Sequence, residues 1–269
     1  MKRWINIDIF KMLLHNYLIT LIALGFSAVV FEFFIHWVLI SSVIGDSIGQ
    51  LIKLLPPQMR AFLGEDTLGF LSPLGFISIG YTHPFLFVLF TIFPATLFTR
   101  EIASASEKGT IELILGRPVS RSCYAFTIGI FFLCGLIFMS LCQTVGVIIS
   151  LHSFPVNYPF NTFLPAIINF AFLFIFIGFM SMLISVSSRH GSKSAGAIIG
   201  FTLGLYFFEY IGRTIKFIGM TSYFNPFHYY RPQHILSTNN FPTGSLLILA
   251  LSGLVLFAIS ITIFRNRDL

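Results

Sequence analysis

Six long apolar runs constrain the fold of this chain more than any other feature of its sequence. A helix needs roughly 20 mostly apolar residues to cross a hydrocarbon core about 30 Å thick. The second run is short, but it gains length if its helix continues into Ile102 and Ala103. The runs cover residues 17–40, 84–99, 123–150, 163–185, 195–211 and 245–264. They predict an all-α integral membrane protein with six transmembrane helices.

The composition favours the same class of protein. Hydrophobic residues make up 56% of the chain and charged residues only 10%, whereas soluble domains carry about a quarter charged residues. The first run is too long to be the apolar region of a cleaved signal peptide, so we expect it to remain as an anchor. We therefore interpret residues 1–269 as a single transmembrane domain.

The distribution of Lys and Arg predicts the orientation of the chain. Six spans place both termini on one side of the membrane. If that side is the cytoplasm, eleven of the 16 basic residues lie inside and five outside, as the positive-inside rule requires. We therefore expect cytoplasmic N- and C-termini. The positive charge is mostly a topology signal and forms no basic soluble face, so we expect contact with membrane lipid and no nucleic-acid partner.

Three segments outside the runs carry their own predictions. Residues 1–16 have apolar residues at helical spacing, which predicts an amphipathic interfacial helix; an N-terminal extension of the first span is the alternative. Residues 41–83 are expected to be an external segment with short helices interrupted by two prolines. Residues 221–234 are rich in aromatic side chains and favour either an interfacial belt or a lid over a pathway.

The fifth run contains a repeated GxxxG pattern. Gly196, Gly200 and Gly204 lie on one helical face and would let another helix approach closely. The pattern leaves two partners open, a neighbouring helix of the same chain or a second copy of the chain.

Two pairs of ionisable residues lie near the predicted outer ends of spans. Glu32 and His36 are one helical turn apart, as are Glu209 and Arg213. Ionisable side chains are costly in hydrocarbon, so each is a candidate functional residue. Either the members of each pair satisfy one another, or they line the outer mouth of a substrate pathway.

Residues 100–121 form a polar connector between the second and third runs, and we call this connector the elbow. Ser104 and Glu107 have the spacing of a capping box, and Gly109 is expected to break the helix that continues from the second span. Thr110 can cap a new short helix, and Ser120 can cap the third span. The elbow is therefore predicted to hold a one- to two-turn cytoplasmic helix, whose apolar residues need a groove in which to pack.

The sequence "EKGTIELILGRPVSR", residues 107–121, resembles the coupling segment of ABC-2 type transporter permeases. The family's common form is an acidic residue, Gly-Thr, a Leu-rich turn containing Glu, and then Pro-x-Ser-Arg. The six-span plan, the amphipathic N-terminal segment and the terminal "FRNRDL" are similar as well. The residues that the resemblance assigns to coupling with an ATPase are Glu107, Gly109, Thr110, Ile111, Glu112, Leu113, Ile114, Leu115, Arg117, Pro118, Ser120 and Arg121.

The resemblance implies a permease subunit of an ATP-driven transporter, usually an exporter, in the prokaryotic cytoplasmic (inner) membrane. Such a permease pairs with a second copy, and two separate ATPase subunits bind beneath the pair. ATP and Mg²⁺ would then be bound by the ATPases, and this chain would hold no cofactor. In agreement, the turn "SSRHGSKSAG" lacks both glycines that a phosphate-binding loop of the form GxxxxGK[ST] needs.

The alternatives are a membrane-embedded enzyme and a structural membrane protein without transport activity. An enzyme is disfavoured because the polar residues do not converge on HExxH, a Ser-His grouping or paired carboxylates. His228 and His234 are six residues apart, a spacing that favours no metal. We therefore expect no catalytic site and no metal site in this chain.

Overall fold

A computed structural model describes residues 5–40, 73–111, 119–154, 159–212, 221–238 and 240–267, and every regular element within these ranges is helical. The helices are α1 (Ile7–Ile40), α2 (Pro73–Thr82), α3 (Pro84–Phe98), α4 (Arg121–Ser153), α5 (Leu164–Ser187), α6 (Gly191–Gly212), α7 (Pro232–Thr238) and α8 (Thr243–Asn266). A π-helix, Thr99–Ser104, and a last turn, Ala105–Glu107, extend α3 into the elbow. Short 3₁₀ turns are Phe160–Thr162, Ser222–Phe224 and Pro226–Tyr229. Most of the predicted external segment 41–83 lies outside the described residues.

Five helices in the described part of the chain are long and apolar enough to cross a membrane. They are Ile7–Val38, Pro84–Glu107, Arg121–Ser153, Phe160–Ser187 and Thr243–Asn266. Each corresponds to one of the six predicted runs, and the second reaches spanning length because its helix continues past Thr99, as expected. The remaining run, 195–211, lies within α6, which is not among the five. Its membrane crossing stays a prediction.

The first helix is continuous from the N-terminal segment through the first span. The side chain of Asn6 accepts hydrogen bonds from two backbone N–H groups of the first turn, at 3.0 and 3.2 Å, and so caps α1. No break separates residues 7–16 from the span, so a separate interfacial helix is not confirmed. The physical reason is the buried face: Ile9 and Leu13 pack into the core along α4, and this packing continues directly into the membrane-spanning part of α1.

Phenylalanine rings fill the centre of the bundle, where α3, α4 and α5 meet. Phe90 of α3 lies edge to face against Phe170 of α5, with ring centroids 4.8 Å apart. Phe132 of α4 contacts Phe179 of α5 in the same way at 5.5 Å. These rings are buried, and edge-to-face contact adds to the free energy of burial because ring edges and faces carry opposite partial charge. The aromatic core therefore fixes α3 and α4, the two helices that the elbow connects, against α5.

The start of α1, the elbow and the end of α8 lie at one end of the bundle, which we call the elbow end. Arg267, just after α8, donates hydrogen bonds to the carbonyls of Val186 at 2.9 Å and Ser188 at 2.8 Å. These carbonyls belong to the end of α5, where a helix leaves its last acceptors unpaired. Arg121 in turn donates to the carbonyl of Arg267. The first residue of α4 is thus tied to the ends of α8 and α5. We call the opposite end the far end.

Candidate functional site

The helix that extends α3 is broken at Gly109, and α4 begins at Arg121. Gly109 has φ of +69°, a left-handed conformation that side chains with a Cβ adopt at a cost. At the other end of the elbow, the side chain of Ser120 accepts a hydrogen bond from the N–H of Cys123 at 3.2 Å and caps α4. The break and the cap are where the sequence predicts them.

The carboxylate of Glu107 ties the elbow to the start of α6. Its Oε2 accepts a hydrogen bond from the backbone N–H of Gly191 at 2.8 Å, and its Oε1 lies 3.1 Å from Nδ1 of His190. A negative charge at this position is favourable because the first N–H groups of a helix carry partial positive charge. Ser104 lies against Gly191 so closely that a Cβ on Gly191 would overlap the Ser104 hydroxyl. We call these contacts the Glu107 latch.

The predicted capping box of Ser104 and Glu107 is wrong. Ser104 has helical φ and ψ angles and its side chain makes no capping hydrogen bond, because the helix passes through it without interruption from the π-helix. Its hydroxyl lies instead against the start of α6. The Glu107 carboxylate is used by α6 rather than by its own helix.

The middle of the coupling segment lies outside the described residues, namely Glu112, Leu113, Ile114, Leu115, Arg117 and Pro118. Of the residues before it, Thr110 donates a hydrogen bond to the carbonyl of Ala105 at 3.2 Å. Ile111 is buried and belongs to the core of this chain. The side chain of Ile111 therefore packs within this chain's own bundle and is not exposed for contact with a partner protein.

Sequence reasoning missed Glu101, a buried carboxyl group in the π-helix. Its Oε1 accepts a hydrogen bond from the hydroxyl of Tyr17 at 2.8 Å, and the hydroxyl of Tyr124 donates to its backbone carbonyl at 3.1 Å and lies 3.4 Å from Oε2. This cluster joins α1, α3 and α4 at the elbow end. If the second run is extended as a helix, Glu101 lies one turn after Leu97, on the same side of the helix. This spacing is the sequence signal that could have identified Glu101.

The glycine face of α6 is open. An added Cβ on Gly196, Gly200 or Gly204 would meet no atom within 4 Å among the described residues. The face forms part of an apolar groove of about 520 Å³. The groove is lined by Ala197, Gly200, Phe201, Gly204, Leu205 and Phe208. In the part of the chain that the structure describes, no neighbouring helix uses the close approach that these glycines allow.

Glu32 and His36 are completely buried at the far end, between α1, α2 and α4. Nδ1 of His36 lies 2.7 Å from the backbone carbonyl of Glu32 and 3.7 Å from its carboxylate Oε2. The carboxylate Oε1 instead accepts a hydrogen bond from Nε2 of Gln143 at 2.7 Å. The pair therefore depends on a third residue, 111 positions away in sequence.

Glu209 has a different described partner from the one predicted. Its Oε1 lies 3.5 Å from Nδ1 of His228, while Arg213 lies outside the described residues. Asn225 helps to place this histidine, because its side chain donates to the carbonyl of Leu205 at 2.8 Å and accepts from the N–H of Phe227 at 3.1 Å. The aromatic segment is thus folded back against the end of α6.

Comparison with known protein families gives a match over residues 21–265. The matching family is described as "Multidrug efflux system permease Rv1217c, C-terminal domain". The chain belongs to this family. No curated protein and no solved structure matches it.

The matched range of this efflux permease contains the elbow, the glycine face and the buried pair Glu32 and His36. Together with the five apolar helices, the family makes the chain a multi-pass membrane protein. A permease moves its cargo without making or breaking covalent bonds, so the chain is interpreted as a non-catalytic transport subunit. Among the described residues, no three His, Cys, Asp or Glu side chains are grouped closely enough to hold a metal ion.

Proposed function

We propose that this permease is the membrane subunit of an ATP-driven exporter of the ABC-2 type. Two copies of the chain would form the translocation pathway, and two separate ATPase subunits would bind at the elbow. ATP and Mg²⁺ would be held by the ATPases. The chain would lie in a prokaryotic cytoplasmic (inner) membrane with the elbow end on the cytoplasmic side, an orientation supported by eleven of its 16 basic residues.

The observation that carries this proposal is the Glu107 latch. An ATPase that pushes or pulls the coupling segment displaces Glu107, and the hydrogen bond to Gly191 passes that displacement to the start of α6. Thr99 and Ser185 both lie within hydrogen-bond distance of the Ser194 hydroxyl, at 3.3 and 2.9 Å. The start of α6 therefore moves with the ends of α3 and α5, as a strut between two arrangements of a bundle would.

The glycine face supports the pairing of two permeases. It is apolar and uncovered among the described residues, and it lies on the same helix that the latch holds. Small residues on a membrane helix permit the close backbone approach that drives association in lipid. A second copy of α6 would bring the two latched helices together, so that both ATPases act on one interface.

Co-purification with the ATPase subunit tests the proposal. The permease is expressed with a P-loop ATPase from the same genome, and ATP hydrolysis and efflux of hydrophobic compounds are measured in reconstituted vesicles. Glu112→Ala and Pro118→Ala alter the coupling segment, while Thr262→Ala on α8, whose hydroxyl bonds its own helix at Ala258, is the matched control. We expect the first two variants to lose stimulated hydrolysis. Stable binding and full stimulation in all three variants would rule out the coupling role.

A further inference from the structure

Four buried polar atoms at the far end have no hydrogen-bond partner among the described residues. They are Oε2 of Glu32, Nε2 of His36, Oε1 of Gln143 and the hydroxyl of Tyr81. All four side chains are fully buried, at 0% exposure. Buried polar groups in proteins are nearly always paired, because an unpaired one loses its hydrogen bonds to water without replacement. We call this group the acceptor cluster.

The hydrogen bonds around the acceptor cluster show whether each unpaired atom is a donor or an acceptor. His36 Nδ1 lies 2.7 Å from a backbone carbonyl, which only accepts, so Nδ1 carries the hydrogen and Nε2 has a free lone pair. The Gln143 amide nitrogen donates to Glu32, which leaves the amide oxygen free. The second carboxylate oxygen of Glu32 is also an acceptor. All four atoms can accept a hydrogen bond, and only the Tyr81 hydroxyl brings a hydrogen of its own.

Close helix packing builds this cluster. Gly146 of α4 faces α1, and a Cβ there would come within 2.9 Å of both the Glu32 Cβ and the Val29 carbonyl. Gly80 of α2 makes a similarly close approach, since its Cβ would overlap Ile35. The cluster is therefore enclosed by three helices whose approach depends on two missing side chains.

Aromatic side chains line the same region. The Phe163 ring lies edge-on to the His36 ring at 5.8 Å, and the Tyr230 hydroxyl donates to the carbonyl of Tyr81 at 2.9 Å. Burial, followed by the neighbouring Glu32 carboxylate, raises the pKa of the Tyr81 hydroxyl well above its usual range. Tyr81 is accordingly neutral, and its hydroxyl oxygen can accept a hydrogen bond.

We propose that the acceptor cluster binds the protonated amine of a transported compound. A primary ammonium has three N–H donors and one positive charge, which match three free acceptors and one carboxylate. No hydrogen bond or ion pair joins Glu32 to a Lys or Arg in the part of the chain that the structure describes. The proposal rests on the export function proposed above, and it deepens that function by naming cationic amines as a substrate class.

The acceptor cluster is closed to solvent in this structure, so an amine enters it in the other arrangement of the bundle. The two glycine contacts are where α1 can separate from α2 and α4 without leaving bulky side chains interlocked. Opening of the bundle at these contacts toward the outside would let water replace the acceptor atoms around the ammonium. The amine would then be released. The Glu107 latch then acts at the elbow end of the bundle, and the acceptor cluster binds and releases the amine at the far end.

Direct binding tests this inference without any ATPase. The full-length permease in lipid nanodiscs is titrated with monodansylcadaverine, a fluorescent primary amine, and with its neutral N-acetyl derivative. Glu32→Gln keeps the size of the side chain and removes its charge. The control is Glu101→Gln, which changes a buried carboxyl at the elbow end whose oxygens are already occupied by tyrosines.

We expect the wild-type protein to bind the amine about ten- to a hundredfold more tightly than the acetylated probe. Glu32→Gln should abolish that difference, and Glu101→Gln should keep it. Tyr81→Phe removes one acceptor and should weaken amine binding about two- to tenfold; it provides the test if Glu32→Gln does not fold. Equal binding of both probes to the wild type, or a preference that survives Glu32→Gln and Tyr81→Phe, would overturn the proposal.

Potassium chloride separates an amine site from a site for an inorganic cation. The wild-type titration is repeated with potassium replacing the buffer cation at constant ionic strength. We expect the amine affinity to stay unchanged, whereas displacement by potassium would overturn the assignment to amines. If the binding test fails while ATP hydrolysis still responds to the coupling segment, the export function stands and only the substrate class is wrong.

Discussion

Oε2 of Glu107 accepts a hydrogen bond from the backbone N–H of Gly191 at 2.8 Å, although the two residues are 84 positions apart in sequence. Glu107 is the last residue of the turn that extends α3, and Gly191 is the first residue of α6. The same helix presents the open glycine face. A single carboxylate therefore connects the region proposed to bind an ATPase with the face proposed to bind a second permease.

Replacing Glu107 with Ala should uncouple ATP hydrolysis from transport. The variant removes the two contacts that the Glu107 carboxylate makes in the latch, so displacement of the elbow reaches α6 less effectively. Mutations along a coupling network change its strength about two- to thirtyfold, and we expect a loss of substrate-stimulated hydrolysis in that range. The measurement is ATPase activity of the reconstituted complex with and without transported compound.

Glu107→Gln is the matched control for this prediction. Its amide oxygen can still accept from Gly191, while the charge that favours the helix N-terminus is lost. We expect an intermediate loss of stimulation, with complex assembly intact in both variants. Coupling in Glu107→Ala equal to that of the wild type would show that the latch transmits nothing.

Gly200→Leu should prevent pairing of two permeases without harming the fold of one. A Cβ at Gly200 meets no atom within 4 Å among the described residues, so the larger side chain has room in the single chain. On a close helix–helix interface it would hold the backbones apart. Disulfide crosslinking through a Cys introduced at Gly204 should fall at least severalfold. Unchanged crosslinking would remove the glycine face from the interface.

Gly178→Ala should destabilise the chain. A Cβ on Gly178 would overlap the buried ring of Phe132, which is itself packed against the rings of Phe93, Phe98 and Phe179. Overpacking of this kind costs about 1–3 kcal/mol. Unfolding of the detergent-solubilised protein measures this difference. Gly196→Ala is the control, because the open site has room for a methyl group and the change should stabilise the helix by about 0.5–1 kcal/mol.

The sequence predicts the parts of this structure that depend on local chemistry. Apolar runs identify the five helices that are long and apolar enough to span a membrane. Gly109 and Ser120 mark the break and the cap of the elbow, because a left-handed backbone conformation and a helix N-terminus each favour particular residue types. These features depend only on a few residues that are close in sequence, so a single sequence is enough to predict them.

Partners that are distant in sequence were not predictable in the same way. The elbow sequence gives no sign that Glu107 binds the start of α6, and the i, i+4 spacing of Glu32 and His36 suggests a self-contained pair. The structure joins Glu32 to Gln143 instead. Glu101 was missed for the same reason, because its partners Tyr17 and Tyr124 are 84 and 23 positions away in sequence.

The tyrosines around Glu101 provide the last prediction, which concerns the elbow end. Tyr17→Phe removes the hydroxyl that donates to the buried carboxyl at 2.8 Å, and a lost hydrogen bond to such a group costs about 1.5–3 kcal/mol. Tyr124→Phe should cost less, because its hydroxyl lies 3.4 Å from the carboxyl and donates mainly to the backbone at 3.1 Å. Tyr223→Phe is the control: it changes an exposed ring, and the free energy of unfolding should change by no more than about 0.5 kcal/mol.

The Tyr17→Phe, Tyr124→Phe double variant tests whether the two tyrosines act through Glu101. The free energy of unfolding is measured in mixed micelles for the double variant and for both single variants. We expect a non-additive loss, because both hydroxyls contact one residue. Strict additivity would mean that the two tyrosines stabilise α1 and α4 separately, and that Glu101 does not join these helices to the π-helix.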